Sequence, residues 1–98
     1  MKFETIKQST RKDKKFMITF SNPKKTIHFG SKNSKTYLDH RDKKKRENYI
    51  LRHKVNENWN DPLTAGTLSL YLLWGSSPDL YTNLQSYLKH FKILSNTI

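Results

Sequence analysis

The 98-residue sequence has no cysteine, which excludes disulfide stapling and thiolate metal sites and fits a reducing compartment. Glycine and proline are scarce, three of each, so no glycine-rich phosphate loop is present and each of these residues marks a particular boundary. Acidic residues are few as well: eight Asp and Glu face nineteen Lys and Arg, a formal net charge of +11. Long apolar runs are missing. The longest, Leu68 to Trp74 interrupted by Ser69, is far too short to span a bilayer, and Met1 to Thr10 lacks the apolar core of a secretory signal. These absences lead to the expectation of a soluble intracellular protein, not secreted, with no transmembrane segment.

What is present is aromatic mass and one-sided charge. Apolar residues make up only 34% of the chain, but two Trp, five Tyr and five Phe bury large areas per residue, which favours a folded domain with one small core over disorder. Residues 1–54 hold seventeen Lys and Arg against five Asp and Glu, whereas residues 55–98 hold two against three, so the halves carry +12 and −1. A contiguous basic half makes a polyanion the leading partner, because neutralising phosphates releases condensed counterions whatever the base sequence.

Periodicity and turn chemistry divide the chain. Residues 1–13 read as a flexible or edge-strand N-terminus in which Phe3 to Ile6 is the one strand-like run. Residues 14–94 read as a single compact domain and residues 95–98 as a frayed tail. Phe16, Ile18 and Phe20 alternate with Met17 and Thr19, Ser21-Asn22-Pro23-Lys24 supplies turn residues, and Thr26 to Phe29 resumes the strand before Gly30 ends it. Asp39 or Thr36 is a candidate cap for a helix in which Leu38, Asp42, Arg46, Tyr49, Ile50 and His53 share one side. Asp61-Pro62 gives a helix start, and Ser77-Pro78-Asp79 repeats the logic before the apolar stripe Leu80, Leu84, Tyr87, Leu88 and Phe91. The fold class is α+β: an N-terminal β-hairpin (about 14–29) followed by three helices (about 38–55, 62–74 and 78–93).

Several short runs, taken in order, resemble a known family. They are Lys25-Thr-Ile-His-Phe-Gly30, Tyr37-Leu-Asp-His40, Arg46 with Tyr49-Ile50 and Arg52-His53, Glu57-Asn-Trp59, Pro62, Thr64-Ala-Gly66, and Leu73-Trp74 with Pro78. This ordered set resembles a family of small basic proteins of unknown function encoded by giant DNA viruses, the mimivirus and algal-virus relatives, with similar proteins in some phages. The resemblance runs from about Phe16 to Phe91. Members of that family often carry Arg-Trp where this chain has Leu70-Tyr71, so no role is carried over for that pair. The resemblance implies a viral gene and a shared small fold, and no activity.

The basic residues are the first candidate site. Lys14 and Lys15 with Lys12 on a strand edge, Lys24 and Lys25 at the turn, and Arg41, Lys43, Lys44, Lys45 and Arg46 on the helix predict one phosphate-contacting stripe in a hairpin-plus-helix layout. The bland alternative is lysine on solvated faces. Phe16, Phe20, Phe29, Tyr37 and Tyr49 interleave with these charges; stacking on bases is one role for them, and the hairpin core is the commoner one. His28, His40 and His53, with Asp39 and Asp42 near His40, suggest a metal or acid–base site, but no H-x-x-x-H spacing exists to fix a metal. Their expected role is to hydrogen-bond between hairpin and helix. Asp13-x-Lys15 and Asp42-x-Lys44 echo half of a nuclease motif without its upstream Pro-Asp. Gly66 in a helix start suggests close approach of Trp59 or the hairpin, Pro62 starts the same helix, and Trp74 at a helix end is a candidate protein-contact anchor. Tyr49 and Arg52 join this set as motif residues.

The expected function is a non-enzymatic accessory protein of a large DNA virus that binds DNA or RNA phosphates with little sequence specificity. No cofactor, metal or catalytic residue is expected. Other virion proteins are further expected partners, because the alternative is a minor capsid or core component, acting in the infected host cell or in the virion. A third reading is a nuclease-like enzyme using Asp39, His40 and His53.

Overall fold

The computed structural model describes residues 1–95. Three N-terminal strands, β1 (Lys2–Gln8), β2 (Lys14–Ser21) and β3 (Lys25–Ser31), form an antiparallel meander. A two-residue strand, β4 (Leu94–Ser95), pairs parallel to the start of β1, giving the order β3-β2-β1-β4. Four short helices lie between: α1 (Tyr37–His40), α2 (Lys43–Lys54), α3 (Ala65–Leu68) and α4 (Leu80–His90), with a π-helical turn Ser69–Leu73 continuing α3. The class is α+β.

The hairpin forms where the alternation places it, with β3 running two residues beyond the expected Phe29. Asn22, in the left-handed region at φ 57°, and the cis Asn22–Pro23 bond make its turn. Strand β1 pairs along its length with β2, so residues 2–8 belong to the sheet. Phe3 and Ile6 are three apart, a spacing that a regular strand cannot put on one face. A register shift between Phe3 and Thr5 absorbs the extra residue and sets Phe3 opposite Phe20 and Ile6 opposite Ile18.

The expected helix over 38–55 is two helices. Arg41 turns left-handed at φ 55°, and the Asp42 carboxylate accepts from the Lys44 and Lys45 amides at 2.9 and 3.2 Å, so a fresh helix starts there. Thr36 and Asp39 serve α1, whose Asp39 carboxylate accepts from the Thr36 amide at 2.7 Å. The expected 62–74 helix starts later, because the Asp61 carboxylate turns back onto the Leu63 amide and Thr64 takes over as cap, accepting from Thr67. The expected 78–93 helix is trimmed to α4, capped by Asp79. Of the tail, Ser95 is paired in β4, and residues 96–98 lie outside the described residues.

The core joins sheet and helices: Phe3, Ile18, Phe20 and Phe29 meet Tyr37, Leu68, Leu72, Leu73, Trp74, Leu84, Tyr87 and Leu88. Each such side chain contributes about 1.5–3 kcal/mol on burial. One buried polar residue fastens the helical half: Asn83 Nδ2 donates to the Leu72 and Ser77 carbonyls at 3.1 and 2.7 Å, and its Oδ1 accepts from the Ser77 amide at 3.1 Å. Among the described residues no helix is long and apolar enough to cross a membrane.

The caps make stability pH-dependent. Asp39, Asp42 and Asp79 are all held below the ordinary carboxylate value of 3.8, chiefly by the amide of Thr36, the amide of Lys45 and the hydroxyl of Thr82 respectively. Folded values lie below unfolded ones, so the stability these caps add is present above about pH 4 and is lost as the pH falls through the folded values. Thermal melts from pH 6 to pH 3 are expected to show a flat melting temperature down to about pH 4 and a decline below it.

Candidate nucleic-acid interface

The site grows from one side of α2. Tyr49 and His53, four residues apart, present their rings on the same helix face. The Tyr49 ring lies 4.3 Å from the Trp74 indole at an interplanar angle of 5°, and His53 stacks on it at 4.1 Å and 27°. His40 continues the ladder past Trp74 at 5.3 Å. Arg46, one turn earlier, fixes this arrangement by donating its Nε–H to the carbonyls of Trp74 and Gly75 at 3.0 and 2.9 Å, where the π-helical turn ends. Burial, with the nearby Glu57 carboxylate, pushes the Tyr49 hydroxyl up to about 12.

Glu57 closes this ladder at its His53 end. Its Oε1 lies 3.6 Å from His53 Nδ1, and its carboxylate fills the space above Gly66, where a Cβ would overlap it. The visitor over Gly66 is therefore Glu57 rather than Trp59 or the hairpin. Trp59 instead lines a separate cavity of about 380 Å³ with Ile50, Tyr71 and His90. Pro62 supplies the carbonyl that accepts from the Tyr87 hydroxyl at 2.6 Å, a structural role.

A groove of about 470 Å³ opens beside the ladder, lined by Lys14, Lys35, Arg52, His53, Glu57 and Trp74 among others. A recess of about 270 Å³ shares Lys35, Arg52 and Trp74 with it and adds His40, Lys45 and Asn48. Only Glu57 among these residues carries a negative charge. Few of the cations are neutralised internally: among the described residues only Arg11 and Lys44 have a carboxylate within 4.0 Å of a side-chain nitrogen, at 3.6 and 3.9 Å. Lys15 sits at the adjoining sheet end and donates to the Lys32 carbonyl at 3.3 Å.

The expected basic stripe is thus split. Lys14 pairs opposite Ser31 and Lys25 opposite Phe20, so the hairpin tip with Lys24 and Lys25 lies six strand positions from Lys14, about 20 Å at the rise of an extended chain. Lys14, Lys15 and Lys45 stand at the groove end. Lys43 and Lys44 are exposed in the first turn of α2, Arg41 is exposed between the helices, and Arg46 has its Nε bound to carbonyls.

The five aromatics that interleave with the basic residues do not offer free faces. Phe20 and Phe29 are fully buried, Tyr37 is buried, Phe16 is half-buried against Phe29, and both faces of Tyr49 are covered. Trp74 is 9% exposed, so it forms the floor of the groove and is no protruding anchor. The histidines do not bridge hairpin to helix: His28 Nδ1 bonds Ser9 Oγ at 2.7 Å, His40 Nδ1 accepts from the Asp42 amide at 3.0 Å, and His53 faces Glu57. His40 and His53 meet theirs within four residues, and His28 meets Ser9 nineteen residues away, between β1 and β2. Asp39, His40 and His53 line three different cavities, and Asp39 is occupied as a cap. Among the described residues no three His, Asp or Glu side chains gather to hold a metal ion.

Sequence reasoning missed Lys35, Asn48 and Glu57 as groove residues. The signal for Lys35 was its place directly before the Thr36 cap, which fixes the loop that carries it. Glu57 had a signal too: it lies four residues after His53, just past the end of α2.

Compared with known proteins, the chain matches one family model, described as a family of unknown function (DUF5754), over residues 4–53, half of its length. The chain belongs to that family. No curated protein and no solved structure matches it significantly. The DUF5754 match covers most of β1, all of β2, β3 and α1 and nearly all of α2, so it contains Lys14, Lys35, Tyr49, Arg52 and His53 of the groove. Glu57, Gly66 and Trp74 come from the segment beyond it.

Proposed function

We propose that this DUF5754 protein is a non-enzymatic nucleic-acid-binding protein that engages the phosphate backbone with little base specificity. One observation carries the reading: Lys14, Lys15, Lys35, Lys45 and Arg52 crowd one end of the molecule, and among the described residues none has a carboxylate partner within ion-pair distance. Cations left unpaired on a rigid support are what counterion release needs. Around them no free aromatic face or base-reading helix supplies sequence readout. The setting we propose is a large DNA virus, supported by the motif resemblance alone.

The test is fluorescence anisotropy with a labelled duplex and a labelled single strand between about 50 and 200 mM salt. About six phosphate contacts give a log–log slope near −5, so affinity for duplex is expected to fall about a thousandfold across that range. Absence of binding to either probe at 50 mM salt would refute the reading. A second reading, a virion structural component, draws on the exposed Tyr81 and Leu94 of the C-terminal region, 62% and 70% accessible. Stoichiometric recovery in purified particles after nuclease treatment would favour it over the first.

A further inference from the structure

The groove is not uniformly cationic, and that carries an inference which rests on the nucleic-acid reading above. A surface built only to attract polyanions has no use for a carboxylate at its centre, since each phosphate would be repelled by it. Yet Glu57 lies in the groove, with His53 3.6 Å away and its carboxylate in the space that a Cβ on residue 66 would take. Beside it the recess offers the opposite chemistry. Lys35, Lys45, Arg52 and Asn48 line it with donors and no carboxylate. His40 lines it too, and its Nε2 is the one buried side-chain polar atom without a hydrogen-bond partner among the described residues. Because His40 Nδ1 accepts from the Asp42 amide, Nε2 carries the proton and is a donor lacking an acceptor.

An acceptor next to a cluster of donors matches a ligand with a hydrogen-bond-donating part next to an anionic part. We infer that the groove takes one nucleotide unit of a single-stranded nucleic acid, its phosphate in the recess at Lys35 and Arg52 and a donor group of its base or sugar at Glu57. A duplex fits poorly, because its base edges stay paired in the stack and its phosphates lie on a rigid convex surface. A single strand can splay one unit into a pocket of this size. Duplex is then held only by the cations on the groove rim.

Glu57→Ala tests this, because the two accounts give opposite signs. If Glu57 is merely an unfavourable charge, its removal tightens every polyanion. If it receives a donor, its removal weakens single strands while inorganic polyphosphate, which has no base or sugar, binds as well or better. The probes are a mixed-sequence oligonucleotide of about twelve nucleotides as single-stranded DNA and as RNA, the same DNA sequence as duplex, and polyphosphate. Circular dichroism melts confirm that the variant folds, and Glu57→Gln, which keeps an acceptor oxygen, serves as the rescue. The expected result is single-strand binding at least about tenfold tighter than duplex for the unaltered protein, falling about tenfold in Glu57→Ala, the size of one lost polar contact, and largely restored in Glu57→Gln. Equal affinity for single strand and duplex, with Glu57→Ala tightening all probes alike, would overturn the inference and leave the phosphate-binding reading intact. No binding of either nucleic acid would overturn both.

Discussion

Replacing Trp74 with alanine is expected to bring the protein close to unfolding. The indole is 9% exposed, stacks in parallel on Tyr49 at 4.3 Å and contacts His40, so its removal opens a cavity between α2 and the π-helical turn. Truncation of a buried aromatic costs about 3–5 kcal/mol, against a total of about 5–15 kcal/mol for a domain. For a chain of this size that is a fall in melting temperature of about 12–40 °C. Trp74→Phe, which keeps a ring on Tyr49, should lose less than half as much. Melts followed by circular dichroism check both. A Trp74→Ala protein as stable as the parent would mean that the ladder does not hold α2 in place.

Asn83→Leu is the second change with a large effect. Leucine is close in volume, so little packing is lost, but the Leu72 carbonyl, the Ser77 carbonyl and the Ser77 amide all lose their partner. A buried backbone group left unsatisfied costs about 1–3 kcal/mol, so a total of about 3 kcal/mol or more is expected, with a fall in melting temperature of about 12–24 °C. Because Asn83 ties the end of the π-helical turn to the loop before α4, hydrogen exchange should speed most at Trp74 to Ser77. Uniform acceleration across the molecule instead would show that Asn83 has no local role.

Much of this fold could be read from side-chain pattern. The alternation of Phe16, Ile18 and Phe20 gave β2 its inward face, and Asp79 after Pro78 marked the start of α4. What escaped has physical causes. The bulge beside Phe3 left β1 legible only as the strand-like run Phe3 to Ile6 with a flexible tail as the alternative, since only pairing with Phe20 and Ile18 reveals why Phe3 and Ile6 can share a face. The break at Arg41 was hidden because the left-handed cap falls on arginine rather than glycine. Gly66 signalled a close approach correctly, but composition favours a bulky visitor such as Trp59, and the one that comes is a carboxylate.

The site was legible in kind and not in place. Clustered Lys and Arg announced a basic surface, yet local sequence spacing cannot show that a hairpin carries Lys24 and Lys25 a strand length away from Lys14. Nor can it show that the loop before Thr36 brings Lys35 beside Arg52. Tyr49 and Trp74, distant in sequence, meet where Arg46 anchors the carbonyls at the end of the π-helical turn.

The central claim is that anions are bound at the groove end and not by net charge spread over the molecule. Two variants that each remove two positive charges test it: Lys35→Gln with Arg52→Gln at the groove, and Lys24→Gln with Lys25→Gln at the hairpin tip. All four side chains are exposed, so folding should survive in both. Compared at the same salt, single-strand affinity is expected to fall at least about tenfold in the groove variant and less than about threefold in the tip variant, and a titration from about 50 to 200 mM salt is expected to show the groove variant's slope reduced by about 1.4. Equal losses in the two variants would contradict the account, because total charge would then explain the binding without the groove.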